Sequence, residues 1–246
     1  MPAGLELDQL WINGQRQWMA RFPNRESGEE LNVFDTWKLD HRAPLDPARD
    51  ALAPTRIARW SDPAGGYLHA LHPALWGGVH WRITGKNPDG TLARIGGTQN
   101  NRGAAFHKTY RMVENIREEL DAPGEWFHDA AARTLYYLPP PGSDLATATV
   151  ETVRLRHLIE IRGTAAAPVR GLHFAGLTFR HTARTFMETK EPLLRSDWTI
   201  YRGGAVFATG TEDCTVVDCT FDQVGGNAIF ASDYQRRFTG RGCVVT

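Results

Sequence analysis

Three segments in the last third of the sequence share one strand-bend-strand template, and this repetition limits the fold more than any other feature of the chain. Each places two apolar residues in alternation, a two-residue bend, then two more. The first is Leu172, Phe174, Leu177, Phe179; the second is Cys214, Val216, Cys219, Phe221; the third is Phe238, Gly240, Cys243, Val245. The step from Cys214 to Phe238 is 24 residues and that from Leu172 to Cys214 is 42. An inserted loop over Arg184 to Tyr201 accounts for the longer step. A second pair of strings aligns in the same way: Ala205-Val206-Phe207-Ala208 with Ala228-Ile229-Phe230-Ala231, entered by Gly203-Gly204 and Gly225-Gly226. Short alternating strands, glycine corners and a repeat of this length are what a stack of β-coils requires. A sandwich alternates too, but has no reason to reuse one template in successive strands. The pattern predicts a mostly β chain in which residues 146–246 form about three coils of a right-handed parallel β-helix. Equivalent side chains then stand in ladders about 4.8 Å apart.

Residues 1–145 read as a small, mixed, mainly β domain. Leu10-Trp11-Ile12 and Gln17-Trp18-Met19 flank Asn13-Gly14, a strong hairpin signal. His80-Trp81-Arg82-Ile83 runs into Asn87-Pro88-Asp89-Gly90, strand into turn. Glu125-Trp126-Phe127 and Leu135-Tyr136-Tyr137-Leu138 suggest a further hairpin. Met112, Val113, Ile116 and Leu120 recur at helical spacing before Pro123-Gly124, which predicts a short amphipathic helix. The run Pro139-Pro140-Pro141 closes the region.

Composition narrows the partners. Lys plus Arg balance Asp plus Glu at 28 each, so no basic surface argues for nucleic acid. No apolar run approaches the roughly 18 residues of a membrane span. Eight tryptophans among many glycines and prolines suit short strands and, where exposed, sugar faces. The start carries no charged and then apolar leader pattern. Cys214, Cys219 and Cys243 are an odd set without a CxxC pair, and they read as core residues of the coils. His69, His72 and His80 are interrupted by Pro73 and lack nearby acids or cysteines, so no metal site and no cofactor is expected. No obligate protein partner is evident.

Several strings resemble glycoside hydrolase family 141 and related parallel β-helix proteins. They are LWINGQRQWMARFPN, HALHPALWGGVHWRITGK, GGTQNNRG, MVENIREELDAPGEWFHD and LYYLPP in the first region. In the second they are GLTFRHT, RSDWTIYRGGAVFATGTEDC and FDQVGGNAIFASDYQRR. The resemblance runs through nearly the whole chain in order. It implies that residues 1–145 are an insertion domain carried on the β-helix. It also implies glycoside hydrolysis, of the α-L-fucosidase or xylanase kind, in a secreted or periplasmic setting. Thr98 stands where relatives tend to have tryptophan, so that loop is not expected to stack on sugar.

The usual hydrolytic mechanism needs two carboxylates, about 5–5.5 Å apart for retention and about 6.5–9.5 Å for inversion. Outward acids at matched ladder positions would supply them, and the template aligns none: Asp218 falls opposite Gly176 and Gly242, Asp222 opposite Arg180 and Thr246, Asp233 opposite Gly210. The sequence also ends at Gly242-Cys243-Val244-Val245-Thr246 within the third copy of the template, with nothing resembling a solenoid cap. The catalytic residues are therefore expected downstream of Thr246, and these residues are expected to be inactive alone. Substrate contacts are expected from Arg195, Asp197 and Trp198 in the long loop, and from Arg202, Asn227, Tyr234 and Arg236. Glu212-Asp213 should stand one coil before Arg236-Arg237 as an ionic ladder. Two other readings stand beside hydrolysis: a polysaccharide lyase on the same fold, and a non-catalytic carbohydrate-binding or adhesin β-helix.

Overall fold

Asn13 and Gly14 take φ angles of 51° and 75°, as a tight hairpin turn with the natural strand twist needs. The turn joins β1 (Leu10–Ile12) to β2 (Gln15–Met19), with Ile12 opposite Gln15. The computed structural model describes residues 7–25, 50–100, 105–188 and 198–246. The chain falls into two compact units, Met1–Val150 with Pro192–Ile200, and Glu151–Glu191 with Tyr201–Thr246.

In the first unit the remaining elements are β3 (Arg21–Phe22), α1 (Pro54–Arg59), β4 (Tyr67–Leu71), β5 (Gly78–Lys86), β6 (Leu92–Gly96), β7 (Arg111–Glu114), β8 (Glu125–Asp129) and β9 (Thr134–Leu138). One sheet holds β1-β2-β8-β9 in that order, and the other runs β3-β7-β4-β5-β6. The pair β8-β9 is the expected further hairpin, and β5 runs into the expected turn before pairing with β6. The amphipathic α-helix expected over Met112–Leu120 is not formed; a single 3-10 turn, Arg117–Glu119, lies within that span. Met112 and Val113 lie in β7, which pairs on both sides with β3 and β4. Asn115 then takes a φ of 57° and ends the strand, so the apolar spacing serves a strand and a turn. The α-helix among the described residues is α1, which begins with Pro54, where a missing N–H costs nothing.

A core of Trp60, Leu68, Val79, Trp81, Ile83, Val113 and Ile116 fills this unit. Against it lies Glu119, whose side chain is fully buried. It accepts hydrogen bonds from Arg56 Nη1 at 2.7 Å, Arg59 Nη2 at 3.2 Å and Trp60 Nε1 at 2.6 Å. A buried carboxylate is tolerated only with such partners, and here they fasten the end of α1 to the segment after β7.

The second unit begins within β10 (Val150–Thr152) and continues as β11 (Ile159–Arg162), β12 (Val169–Arg170), β13 (His173–Ala175), β14 (Thr178–Arg180), β15 (Val206–Glu212), β16 (Thr215–Val217), β17 (Thr220–Asp222), β18 (Ile229–Arg236), β19 (Thr239–Arg241) and β20 (Val244–Val245). Strands β11 to β20 form parallel ladders: β11 and β12 with β15 and then β18, β13-β16-β19, and β14-β17-β20. The register follows the repeated template. Phe174 faces Val216 and Val216 faces Gly240; Phe179 faces Phe221 and Phe221 faces Val245. Val206, Val216, Cys219 and Phe221 are buried in one core with Phe179. Cys214, Cys219 and Cys243 are free thiols.

The bends of the template are single left-handed residues. Gly176, Asp218 and Gly242 take φ of 65°, 51° and 66°, and Gly171, Asp213 and Arg237 take 69°, 55° and 53°. Glycine and aspartate tolerate this conformation. A bulge shifts the β15-β18 register: Thr209 faces Ser232, yet Thr211 faces Gln235. Gly210 and Asp233, with φ of 62° and 58°, absorb the extra residue. One expectation fails here. Leu172 and Leu177, placed inward by the template, are 38% and 44% exposed. They flank β13 and β14, which among the described residues pair on one side only, whereas the equivalent Cys214 and Cys219 flank strands paired on both.

Candidate functional site

Alternation along β11, β15 and β18 sorts the side chains of this sheet. Ile159, Val206 and Ile229 belong to the core, so their neighbours Glu160, Phe207 and Phe230 face outward in register, followed by Arg162, Thr209 and Ser232. The Phe207 and Phe230 rings stack with centroids 6.3 Å apart and planes 3° from parallel. Arg162 lies over Phe207 at 4.6 Å and Arg202 over Phe230 at 5.5 Å. His157 approaches Phe207 at 5.3 Å, and Tyr201 lies parallel to His157 at 6.1 Å. His157 Nδ1 is 2.7 Å from the Gly204 carbonyl. That nitrogen must carry the proton, which leaves Nε2 to accept from the Tyr201 hydroxyl at 3.4 Å. A Cβ at Gly203 would stand 2.5 Å from ring carbons of both His157 and Tyr201. The Gly203-Gly204 corner thus admits two aromatic rings at the edge of the outer face.

Polar groups continue the row. Asp233 is turned outward by its left-handed backbone; Oδ1 accepts from Arg202 Nη2 at 3.3 Å and Oδ2 from Thr209 Oγ1 at 3.1 Å. Beyond the bulge, Arg170, Glu212 and Arg236 are strand partners in sequence. Glu212 accepts from the Tyr234 hydroxyl and from Arg170 Nε at 2.8 Å. The Tyr234 hydrogen bond first, and Arg170 next, hold its carboxyl below the ordinary carboxylate range. At the corner, Arg237 Nη2 meets Asp213 Oδ2 at 2.8 Å, and this bond lowers the Asp213 carboxyl likewise. The ionic ladder therefore exists, but Glu212 is taken by Arg170 and Tyr234. Arg236 is exposed and makes no ion pair within 4 Å among the described residues.

The expected site residues separate into four groups. Arg202, Tyr234 and Arg236 come together along β15 and β18, with the Tyr234 hydroxyl committed to Glu212. Asn227 donates from Nδ2 to the Tyr201 and Gly203 carbonyls, at 3.2 and 2.8 Å, and so fastens the glycine corner. Trp198 belongs to the first unit, where its Nε1 donates to the Gly78 carbonyl at 2.6 Å. Arg195 and Asp197 lie outside the described residues. His157, Tyr201, Phe207, Phe230 and Arg162 were not anticipated as site residues. The phenylalanines occupy equal places in the two aligned strings, which was the available signal.

Among the described ladder pairs no acid stands directly opposite an acid. Glu151 and Asp222 do converge on one cation: Arg180 lies 3.7 Å from each, with His181 Nδ1 3.5 Å from Glu151. Burial, and then Arg180, push the His181 imidazole below its ordinary pKa. An acid, a guanidinium and an acid in a row make an ion-pair ladder rather than two carboxylates facing a common bond. The outer face of β15 and β18 instead combines stacked rings, cations and an exposed acid, the mix a polyhydroxylated ligand uses.

No family model matches the chain, and comparison with curated proteins gave no match. Among solved structures, one titled "Glycoside hydrolase" superimposes with a TM-score of 0.68 at 22% sequence identity. The alignment covers 99% of this chain and 48% of that one, so the chain spans about half the length of this neighbour. At this identity the likeness is one of fold.

Proposed function

We propose that the chain is part of a glycoside hydrolase built on a right-handed parallel β-helix of the family 141 type, with polysaccharide lying along the outer face of β15 and β18. Residues 1–145 are its insertion domain, and residues 146–246 its first coils. The observation that carries this reading is the outward row itself: the half-buried Phe230 ring, supported by the covered Phe207 and flanked by Arg202 and Asp233. Sugar C–H faces pack on flat rings, and sugar hydroxyls bond to carboxylate and guanidinium groups. The parallel ladders and the fold likeness to a glycoside hydrolase support it. Fucosylated or xylan-type polysaccharide is the substrate class, taken from the sequence resemblance.

In this reading Arg202, Asp233 and Arg236 orient substrate, and the hydrolytic carboxylate pair lies outside the described residues. A non-catalytic carbohydrate binder is the second reading, favoured by the want of facing acids in the described ladders. One pair of assays tests the binding face and the placement of the carboxylates. The chain is titrated with xylo-oligosaccharides and fucosylated oligosaccharides, and in parallel incubated with aryl fucosides and xylan while product is measured. The proposal expects weak saturable binding that Arg202→Ala reduces about tenfold, and no turnover by these residues alone. Binding untouched by Arg202→Ala would refute the outer face as the site. Turnover by this chain would refute the placement of the carboxylates.

A further inference from the structure

Four of the tryptophans in the first unit, Trp11, Trp60, Trp81 and Trp126, are buried; Trp76 is 69% exposed. An indole left in water forfeits a large apolar burial, and the loop that presents this one is built to hold it there. His72 N–H donates to the Gly77 carbonyl at 2.8 Å, and Leu75 N–H to the His72 carbonyl at 2.8 Å. Leu75 takes a φ of 59°, a conformation that branched side chains seldom adopt. His72 Nδ1 accepts from Ala74 N–H at 3.1 Å, so the neutral imidazole carries its proton on Nε2. That imidazole stacks on Trp76, with centroids 5.2 Å apart and planes 13° from parallel. Its own ring meets the Trp198 indole edge-on at 5.5 Å. Trp198 is fixed in turn by its bond to Gly78, and a Cβ at Gly77 would stand 2.6 Å from its ring.

The result is a three-ring wedge, Trp198 behind His72 behind Trp76, with one indole face open. No hydrogen bond to the Trp76 N–H is made within the described residues. Its neighbours in the loop, Pro73, Ala74, Gly77 and Gly78, are small. A single rigid ring with an available donor suits a flat, hydroxyl-bearing ring of similar size.

We infer that Trp76, in the first unit, is a carbohydrate-stacking platform, and that it takes the pyranose rings of a β-1,4-linked chain. In such rings the axial hydrogens form an apolar face that lies on the indole, while an equatorial hydroxyl accepts from its N–H. The inference stands whether or not the outer-face reading holds.

The test is calorimetric titration of the 246-residue chain with xylohexaose and with cellohexaose. The wild-type chain should bind at least one of them saturably. Trp76→Ala should raise the Kd of that binding about tenfold or more, which is about 1.4 kcal/mol, with an unchanged circular dichroism spectrum because the side chain is exposed. Trp76→Phe should fall between. An unchanged Kd in Trp76→Ala, or no saturable heat up to about 10 mM of either hexasaccharide, would overturn the inference.

Discussion

Phe207 and Phe230 are register partners on neighbouring parallel strands, and their outward rings lie 6.3 Å apart and 3° from parallel. Phe207 is nearly covered, at 8% exposure, while Phe230 is half-buried. Removing a fully buried phenyl ring costs about 3–5 kcal/mol, and the half-buried Phe230 should cost less than that. Phe230→Ala is therefore expected to stay folded, lose about 1–2 kcal/mol of stability, and bind oligosaccharide about tenfold more weakly. Urea denaturation and titration of the same sample separate the two effects.

Glu125 makes folding depend on pH near neutrality. It is buried, its Oε2 accepts from Asp121 and Ala122 N–H at 3.2 Å each, and its Oε1 has no hydrogen-bond partner among the described residues. Burial raises its pKa from 4.5 to about 7. Between those values the folded chain holds a proton that the unfolded chain has lost. Its contribution is thus fully present below pH 4.5 and is lost as pH rises through about 7. The loss amounts to as much as about 3 kcal/mol. Glu125→Gln should flatten this decline and be the more stable protein at pH 8, as read from denaturation midpoints across pH 4 to 9.

Glu119 is the opposite case, a buried carboxylate whose partners are all in place. Glu119→Ala leaves Arg56 and the Trp60 N–H without an acceptor, at a cost of about 3–5 kcal/mol. Glu119→Gln keeps the Trp60 bond and should cost less. Near-ultraviolet circular dichroism reports the Trp60 environment in both, and equal stability of the two variants would contradict this account.

Asp213 and Arg237 join adjacent turns of the ladder, each in the left-handed conformation. Asp213→Arg or Arg237→Asp alone should lower the melting temperature, and the double exchange should recover much of the loss. Each single change sets like charges face to face, and the exchange restores opposite ones. Additive losses would contradict the pairing.

How far the sequence could be read follows from what fixed each part. The register of the second unit was legible because inward residues repeat: Phe174, Val216 and Gly240 align in the sequence and in space, as do Phe179, Phe221 and Val245. The segment at Met112 was misread because its apolar spacing fits a helix, and only the left-handed Asn115 with pairing from both sides decides for a strand. Arg202, Tyr234 and Arg236 were named as substrate contacts from the sequence, and the structure shows Arg202 bonded to Asp233, Tyr234 to Glu212 and Asn227 to the backbone. The contact of His157 with Tyr201, 44 residues later, depends on the Gly203 corner and has no local signal. Trp76 likewise becomes conspicuous only once its exposure is seen.

The most direct test of the central claim is to locate bound sugar by two-dimensional NMR, titrating xylohexaose or a fucosylated oligosaccharide into the Trp76→Ala chain. The account predicts progressive shifts at the amides of Thr209, Ser232, Asp233 and Tyr234 along β15 and β18, with Thr178 and Thr220 on the β14-β17 ladder unmoved. Shifts confined to the β13-β16-β19 or β14-β17-β20 ladders, or no shift anywhere, would contradict it.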